Sequence, residues 1–255
     1  MENVKDLLNS KKYKGIIPIL LTAGRLAKKE NIDIYVVGGI VRDLLMNRSI
    51  NDIDIMVVAD GVHFAKKLAF ELGIKKIVPF PKFGTAIIPN KNISIEVASA
   101  RTETYSKSSR KPTEVVYTDL RGDVSRRDFT INAMAMDIHP LRYGNLTDLF
   151  NGISDINQRI LRTPLNPDET FSEDPLRMIR AAYFSSKLNF KIDQFTLKSI
   201  KKTVHRIDIV STERIRDEFI KILKTEKPSI GIIVLQKSGL LKYVFPEIDT
   251  MYGMD

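Results

Sequence analysis

Residues 33–58, DIYVVGGIVRDLLMNRSINDIDIMVV, carry the pattern that decides the fold. The segment begins with a β-branched and aromatic run that meets Gly38 and Gly39, which predicts a strand ending in a tight turn. Residues 40–47 (IVRDLLMN) are typical of a short helix, and residues 51–58 (NDIDIMVV) of a second strand. Strand, glycine turn, short helix and acidic strand in this order are an uncommon combination.

The segments on either side continue this alternation of helices and strands. Apolar side chains at helical spacing predict a helix over residues 16–30, and a similar pattern predicts another over residues 61–72. Residues 84–89 and 92–98 are strand candidates. The stretch 101–112 is polar and basic without periodicity, so we expect a mobile loop there.

The character of the chain changes after about Gly152. Strand signals fade there, and helical patterns dominate at 174–188, 193–205, 211–225 and 228–238. We therefore predict an α+β (α/β-like) head with a mixed sheet flanked by helices, followed by an all-helical segment. The head is expected over residues 1–150 and the helical segment over residues 151–255.

Composition limits the possible functions. The chain has 255 residues and no cysteine, which excludes disulfides, thiolate metal sites and cysteine nucleophiles. No apolar run is long enough to span a membrane, and the N-terminus lacks the core of a secretory signal. We expect a cytoplasmic globular protein that has no membrane partner. Its three histidines are scattered and suggest no zinc site, and nothing indicates an oligomeric state.

The net charge of +9 suggests a polyanionic partner such as RNA or DNA. The excess is uneven, because the segment Lys187–Arg206 carries six basic residues against a single acid, Asp193. A solvated helix face would explain this segment equally well. The charge makes a nucleic acid plausible without identifying the chemistry.

Asp52 and Asp54 lie two residues apart in the second predicted strand. Because side chains alternate between the faces of a strand, both carboxylates project on one side, with Cα atoms roughly 7 Å apart. Ile53 and Ile55 are expected in the core. Two carboxylates so close repel each other unless a cation lies between them, and hard oxygen ligands select Mg²⁺. Two acids on a solvent-facing strand would show the same pattern.

The glycine turn lies just before Arg42 and Asp43 at a strand-to-helix junction. Glycines let the backbone approach a triphosphate closely, and a helix N-terminus offers unpaired N–H groups and a positive dipole. Arg42 falls one helical turn after Gly39 and could fork onto a phosphate. Neither a Walker A nor a G-x-G-x-x-G motif is present, which argues against P-loop and Rossmann chemistry.

Three motifs in order resemble one family, the class II tRNA nucleotidyltransferases and bacterial poly(A) polymerases. They are YVVGGIVRDLLMNRSINDIDIMVV (35–58), RRDFTINAMA (126–135) and EDPLRMIRAA (173–182). The resemblance covers about residues 34–253. It implies a nucleotidyltransferase head followed by helical neck and body segments, with tRNA, CTP and ATP as partners and Mg²⁺ as cofactor.

The resemblance also implies roles for single residues. It makes Asp52 and Asp54 metal ligands and catalytic residues, and it places Gly39, Arg42 and Arg127 at the nucleotide. Asp128 and Asn132 would be sugar or structural contacts. The full nucleotide-binding set predicted from the turn and the motifs is Gly38, Gly39, Arg42, Asp43, Arg126, Arg127, Asp128, Asn132, Asp174, Arg177 and Arg180.

The third motif suggests how protein could select the base. Asp174, Arg177 and Arg180 recur every third residue and so lie along one helix face. Cytosine and adenine both present an amine donor beside a bare ring nitrogen, whereas uracil and guanine present the opposite order. An acceptor followed by a donor would accept C and A. Asp174 is also a good N-cap ahead of Pro175, and Tyr183 stands where family members often carry an arginine.

Glu96 is a further catalytic candidate that comes from the strand pattern alone. In NISIEVA (92–98) the isoleucines and Val97 share one face, which leaves Glu96 on the other. If this strand neighbours the one with the two aspartates, Glu96 could be a third carboxylate or the base for the RNA 3′-hydroxyl. An ordinary exposed glutamate is the alternative.

Several members of the family remain possible. The leading hypothesis is CCA addition to tRNA, and the alternatives are a poly(A) polymerase, an A-adding enzyme and a non-catalytic RNA-binding module. The polar stretch 101–112 resembles the loop used during A addition, which disfavours a CC-only enzyme. Relatives generally continue beyond this point, so we expect a shortened form or one half of a split enzyme.

Overall fold

The computed structural model describes residues 3–90, 93–106 and 109–251, and the chain divides into two compact units. The first unit comprises Met1–Thr102, Val115–Arg127 and Ile131–Ile153, and the second comprises Glu103–Glu114, Asp128–Thr130 and Ser154–Asp255. The domain boundary expected between residues 150 and 151 stays a prediction.

The elements up to residue 158 alternate as the sequence indicates. The helices are α1 (Ile17–Glu30), α2 (Gly39–Leu45), α3 (Gly61–Glu71), α4 (Leu120–Ser125) and α5 (Gly152–Gln158). The strands are β1 (Ile34–Val37), β2 (Asp52–Val57), β3 (Val78–Phe80), β4 (Thr85–Asn90), β5 (Ile93–Ser99), β6 (Arg101–Ser106), β7 (Ser109–Tyr117), β8 (Met134–Asp137) and β9 (Leu146–Asp148).

Within the described residues, seven of these strands form one sheet in the order β3-β4-β5-β2-β1-β8-β9. The pairing of β2 with β5 is parallel, and the other five pairings are antiparallel, so the predicted mixed sheet is confirmed. The parallel pairing requires a crossover, which the chain makes through α3 and β4.

One face of the sheet at β4 and β5 is fully buried. Ala86, Ile88, Ile95 and Val97 have no exposed surface, and α3 packs against both strands. Gly61 begins α3, and a Cβ there would lie 2.6 Å from both the carbonyl oxygen of Gly84 and the amide of Ser99. Only glycine lets the helix approach the sheet this closely.

The remaining elements are almost all helical, as predicted. They are α6 (Pro167–Glu173), α7 (Leu176–Leu188), α8 (Gln194–Thr203), α9 (Thr212–Leu223), α10 (Pro228–Ser238), α11 (Leu241–Val244) and α12 (Pro246–Thr250), with a two-stranded parallel pair of β10 (Ile160–Leu161) and β11 (Lys191–Ile192). Helix α7 packs against α9 and α10. No helix in the described ranges has the length and apolar character needed to cross a membrane.

Two sequence-based expectations about local structure were wrong. The stretch 101–112 does not form a loop, because β6 and β7 pair in a separate two-stranded sheet whose link, residues 107–108, lies outside the described residues. The sequence pattern did not indicate these strands, because pairing through backbone hydrogen bonds requires no alternation of apolar side chains. The expected position of Asp174 was also off by one residue, because α7 starts at Leu176 and Pro175 holds the capping position, although the side chain of Asp174 still caps the helix.

Candidate active site

The two aspartates of β2 share one face of the strand, as predicted. Asp52 is exposed and Asp54 is half-buried. Ile53 and Ile55, which alternate with them, are 0% and 1% exposed and lie in the core. The alternation of side chains along β2 therefore places the two carboxylates on one face of the sheet, while the two isoleucines on the other face pack in the core.

Glu96 is the direct neighbour of Asp54 on the adjacent strand. The parallel pairing of β2 with β5 places Asp54 opposite Glu96 and Asp52 opposite Ser94. Residues that lie opposite each other in neighbouring strands have Cβ atoms only about 5 Å apart. The strand adjacency that the sequence-based hypothesis for Glu96 required is therefore present, and its catalytic role stays a prediction.

The electrostatic environment of Asp54 differs from that of an ordinary surface aspartate. Burial raises the pKa of its carboxyl to about 6, the guanidinium of Arg127 opposes this rise, and the carboxylates of Glu96 and Asp52 add to it. A second cation near these groups would favour the ionised form of Asp54. The carboxylates therefore have the electrostatics of a cation site.

Gly38 brings the glycine turn into contact with this carboxylate. Its backbone has φ 75° and ψ −130°, a conformation that residues with a side chain rarely adopt. A Cβ at this position would lie 2.8 Å from Nη1 of Arg127 and 3.5 Å from Oδ2 of Asp54. Glycine is thus required at Gly38 both for the turn and for the close approach of these two side chains.

Arg42 is buried and makes protein contacts. It is 3% exposed, and its Nε and Nη2 donate to the two carboxylate oxygens of Asp43, each at 2.9 Å. Its Nη1 donates to Oδ1 of Asn132 at 2.6 Å. Three predicted nucleotide-binding residues therefore form one network that ties α2 to the turn before β8, while Gly39 packs beside the guanidinium of Arg42.

Asp123 is a residue of this site that the sequence analysis missed. It is 1% exposed, and its carboxylate accepts hydrogen bonds from Nη2 of Arg126 at 2.9 Å and from Nη2 of Arg127 at 2.8 Å. Burial alone would raise the pKa of the Asp123 carboxyl, yet Arg127 and Arg126 hold that pKa below its usual value. An acid three and four residues before two arginines on a helix was the available signal.

These residues surround a cleft of about 210 Å³. Its polar lining consists of Asp54, Glu96, Arg101, Asp123, Arg126 and Arg127. Arg126 also donates from Nε to the backbone oxygen of Arg101 at 2.8 Å, which ties α4 to the start of β6. A cleft this small would hold only part of a nucleoside triphosphate, since whole ligand pockets measure about 300–1,000 Å³.

Asp54, which lines the cleft, and Asp52 beside it are the residues predicted to hold a metal ion. Among the described residues, no group of three or more His, Cys, Asp or Glu side chains is arranged to hold a metal ion. Mg²⁺ is commonly held by one or two carboxylates together with substrate phosphates and water. Asp52 and Asp54 fit that donor set, and burial together with the neighbouring carboxylates raises the pKa of Asp54 although Arg127 and Arg42 oppose the rise.

The third motif lies in the second unit, on α7. Oδ1 of Asp174 accepts a hydrogen bond from the backbone N–H of Leu176 at 3.2 Å, so its carboxylate caps the helix from one residue further out than predicted. Arg177 is 8% exposed and donates from Nη1 to the backbone oxygen of Thr170 at 3.3 Å. The same nitrogen lies 3.5 Å from Oε2 of Glu173.

Arg180 and Asp128, both predicted to contact the nucleotide, are bonded to each other. Nε and Nη2 of Arg180 donate to Oδ2 of Asp128 at 2.8 and 2.6 Å, and Glu218 on α9 lies 3.8 Å away. The ring of Phe184 lies 5.2 Å below the guanidinium and 5.0 Å from Tyr183. Arg180 therefore holds the second motif to the third within this unit.

A larger cavity lies elsewhere in the second unit. It measures about 730 Å³ and is lined mostly by apolar side chains, with cations at Arg159, Lys191 and Lys237. None of the residues predicted for chemistry lines it. The smaller cleft is the better candidate active site, because it alone among the two combines paired carboxylates with arginines.

Two family models match the chain. The model described as "Poly A polymerase head domain" matches residues 34–162. The model described as "Probable RNA and SrmB- binding site of polymerase A" matches residues 189–252. Together they cover the strand-rich part of the chain and most of the helices after α7.

Individual relatives carry the names of tRNA-processing enzymes. The chain is 33% identical to an A-adding tRNA nucleotidyltransferase of Geobacter sulfurreducens over 96% of its own length and 28% of that protein. It is 34% identical to a CCA-adding enzyme of Ligilactobacillus salivarius over 95% of its length and 56% of that protein. The chain thus spans about half of the CCA-adding relative and less of the A-adding one.

A solved structure supports the same assignment. The Thermotoga maritima CCA-adding enzyme complexed with tRNA superimposes with a TM-score of 0.82 at 30% identity. The match covers 96% of this chain and 56% of the other. The fold of this chain therefore coincides with that of a protein named as a CCA-adding enzyme.

The raised pKa of Asp54 predicts that its charge destabilises the metal-free protein. In buffer with EDTA at pH 7.5, Asp54→Asn should increase the free energy of unfolding by up to about 3 kcal/mol, the equivalent of a pKa rise from 3.8 to about 6. This increase in the free energy of unfolding should vanish below about pH 4, where the carboxyl of Asp54 is protonated in both the folded and the unfolded wild-type chain. Chemical denaturation at several pH values measures it. Asp52→Asn, at an exposed position, is the control and should change stability by less than about 0.5 kcal/mol.

The buried carboxylate of Asp123 predicts the opposite dependence on pH. Asp123→Asn should lower the free energy of unfolding at pH 7 by about 2–4 kcal/mol, because two arginines lose their ionic partner. Since the folded-state pKa of Asp123 is lowered, this loss should be complete above about pH 4 and should shrink as the pH falls further. Arg121→Ala, exposed on the same helix, is the control; equal unfolding midpoints for the two variants would contradict the structural role of Asp123.

Proposed function

We propose, from the premise that this chain belongs to the family of the poly(A) polymerase head domain, that it is the catalytic part of a template-independent RNA nucleotidyltransferase. The specific activity proposed is the addition of C and A residues from CTP and ATP to the 3′ end of tRNA, with release of pyrophosphate. The observation that carries the proposal is the carboxylate pair of β2 placed beside Gly38 and Arg127.

The names of the relatives support tRNA as the substrate. Both CCA-adding and A-adding enzymes match nearly the whole chain at about one third identity. A-only addition and open-ended poly(A) synthesis are the alternatives within the family. A cytoplasmic location is proposed together with this function, because the relatives are named as tRNA-processing enzymes.

The proposed reaction is an in-line displacement at the α-phosphate of the nucleoside triphosphate. The 3′-oxygen of the RNA forms a bond to phosphorus, the bond to the bridging oxygen breaks, and pyrophosphate leaves. Bound Mg²⁺ would neutralise charge on the phosphates and on the attacking oxygen. Positioning and electrostatic stabilisation would supply most of the rate enhancement in such a reaction.

The chain's own residues divide this work. Asp52 and Asp54 would hold the metal, and Glu96, one strand away from Asp54, would accept the proton of the 3′-hydroxyl. Arg127 is held by Asp123 through Nε and Nη2, which leaves Nη1 beside Gly38, where a phosphate oxygen could approach the backbone. A guanidinium fixed in this way loses little conformational entropy when it binds a phosphate.

Base selection is assigned to α7 in this proposal. Asp174 provides an acceptor and Arg177 a donor, the order that complements the edges of cytosine and adenine. A wrong base would leave polar groups unpaired at a cost of several kcal/mol. The contacts of Arg177 with Thr170 and Glu173 fix the guanidinium from the opposite side and so favour one orientation.

A non-catalytic RNA-binding module is the alternative from another class. It would need no metal site, yet Asp52, Asp54 and Arg127 are all present and the last two lie within one cleft. In a cleft without a catalytic role, the charge of Asp54 would lower the stability of the folded protein without serving a function. The catalytic proposal explains that charge, and the alternative does not.

Incorporation of labelled nucleotides tests the proposal directly. The chain is incubated with Mg²⁺, tRNA lacking its CCA end, and each labelled nucleoside triphosphate in turn. We expect two CMP and then one AMP per tRNA, and Asp54→Asn should reduce the rate at least about 100-fold because the metal site is lost. A Glu96→Gln variant with near-normal turnover would remove Glu96 from the mechanism.

Other outcomes select the alternatives when a parallel reaction with tRNA that ends in CC is included. Addition of one AMP to that tRNA without any CMP addition to tRNA lacking the CCA end favours an A-adding enzyme, and open-ended AMP addition favours a poly(A) polymerase. Failure to bind CTP or ATP at all would overturn the catalytic proposal and leave the RNA-binding module.

The acceptor–donor order on α7 makes a separate prediction about selectivity. Asp174→Ala should reduce the preference for CTP and ATP over UTP and GTP by about 10-fold or more, since one buried hydrogen bond is lost. Competition between labelled CTP and UTP measures this ratio. Ser172→Ala, two residues earlier, is the control, and an unchanged ratio in Asp174→Ala would remove base recognition from this residue.

A further inference from the structure

One face of the sheet in the first unit continues from the carboxylates to the sheet edge. The strand register sets four side chains in a row across four neighbouring strands, namely Asp54 on β2, Glu96 on β5, Ile87 on β4 and Val78 on β3. Residues opposite each other in this way lie on the same face. At about 4.8 Å per strand, the row extends about 14 Å from Asp54 to the edge.

The outer end of this face exposes apolar side chains. Val78 is 36% exposed and Phe80, two residues along the same strand, is 41% exposed. The opposite face behaves differently, because Ile88 and Val97 are fully buried where α3 packs on β4 and β5. Val78 and Phe80 therefore lie on the face that α3 leaves uncovered.

Cations accompany these apolar side chains. Arg101 donates from Nη1 to the backbone oxygen of Phe83 and, at 3.0 Å, to Oγ1 of Thr85, and its guanidinium lies 5.9 Å from the ring of Phe83. Phe83 is 39% exposed, and Lys82 beside it is exposed as well. Arg101 also lines the candidate active site, so the edge and the cleft are continuous.

We propose that this β3 surface (Val78, Phe80, Lys82, Phe83 and Arg101) binds the single-stranded 3′ end of the RNA that is to be extended, with a base stacked on Phe80. The proposal rests on the function proposed above and assigns the place where the primer strand approaches the carboxylates. Exposed aromatic rings beside cations are the combination that binds single strands, because bases stack on the rings while phosphates pair with the cations.

The dimensions of the surface fit this occupant. A length of about 14 Å corresponds to roughly four stacked nucleotides at 3.4 Å each. A stable protein partner would need about 800 Å² on each side, which two or three separated apolar side chains do not supply. The positive groups also complement a polyanion, whereas the carboxylates at the inner end would repel phosphates unless a cation intervened.

A fluorescence experiment can locate the strand, because the chain contains no tryptophan. Phe80→Trp introduces a single reporter on the β3 surface. Phe70→Trp is the matched control, since Phe70 is 84% exposed on α3, which covers the opposite face. Titration with tRNA lacking its CCA end should quench the fluorescence of Trp at position 80 through base stacking and leave that at position 70 unchanged.

Affinity measurements provide the second readout. Phe80→Ala should raise the dissociation constant for this tRNA about 5- to 100-fold, the effect of losing one stacked base. Phe70→Ala should bind as the wild type does. Binding of CTP and ATP should be the same in both variants, because neither side chain belongs to the nucleotide site.

The outcomes distinguish a failure of the proposed RNA-binding surface from a failure of the proposed nucleotidyltransferase activity. Equal quenching at both positions, or equal tRNA affinity in Phe80→Ala and Phe70→Ala, overturns the proposal that RNA binds the β3 surface. If the wild-type chain nevertheless adds nucleotides, the proposed function stands and only the surface is lost. A wild-type chain that neither binds the tRNA nor adds nucleotides overturns both.

Discussion

The rest of the candidate site depends on the pairing of Asp123 with Arg127. Asp123 is nearly inaccessible to solvent, and its carboxylate fixes two nitrogens of Arg127 at 3.2 and 2.8 Å. Arg127 in turn reaches Gly38 and opposes the rise in the pKa of Asp54. Without this guanidinium, Asp54 would lose the cation that contributes most to lowering its pKa, and its ionised form would be less favourable still.

Much of the first unit could be predicted because its signals are local. Alternation fixed the faces of β2 and β5, and the glycine pair marked the end of β1 before a helix. The adjacency of Glu96 to Asp54 was left as a condition, because strand order depends on the crossover through α3 and β4 and no local pattern encodes it. The sequence therefore identified Asp52, Asp54 and Glu96 as candidates but could not predict that Glu96 lies beside the two aspartates.

The errors and omissions share a different cause, which is hydrogen bonding between distant residues. Residues 101–106 and 109–112 of β6 and β7 are mostly polar or basic and show no apolar alternation, so only the pairing of the two strands identifies them as strands. The nucleotide roles of Arg42 and Arg180 stay predictions, but the sequence did not indicate their protein partners. Arg42 donates to Asn132, 90 positions away, and Arg180 to Asp128, 52 positions away. A charged residue in a motif indicates that a charge is required at that position. Only the fold shows which side chain that residue bonds to.

The distribution of charge constrains how a polyanion could use this chain. The net charge of +9 favours the approach of RNA at a distance, but the cleft itself concentrates Asp54, Glu96 and Asp123. Arg126 and Arg127 are already committed to Asp123, so they offset the charge of that residue first and reach the β2 carboxylates only in part. Burial is the largest cause of the raised pKa of Asp54, and Arg127 offsets only part of that rise while Glu96 and Asp52 add to it. A cation held between the carboxylates would favour their ionised forms and reduce their repulsion of a phosphate, so the proposed binding of metal and of nucleotide would support each other.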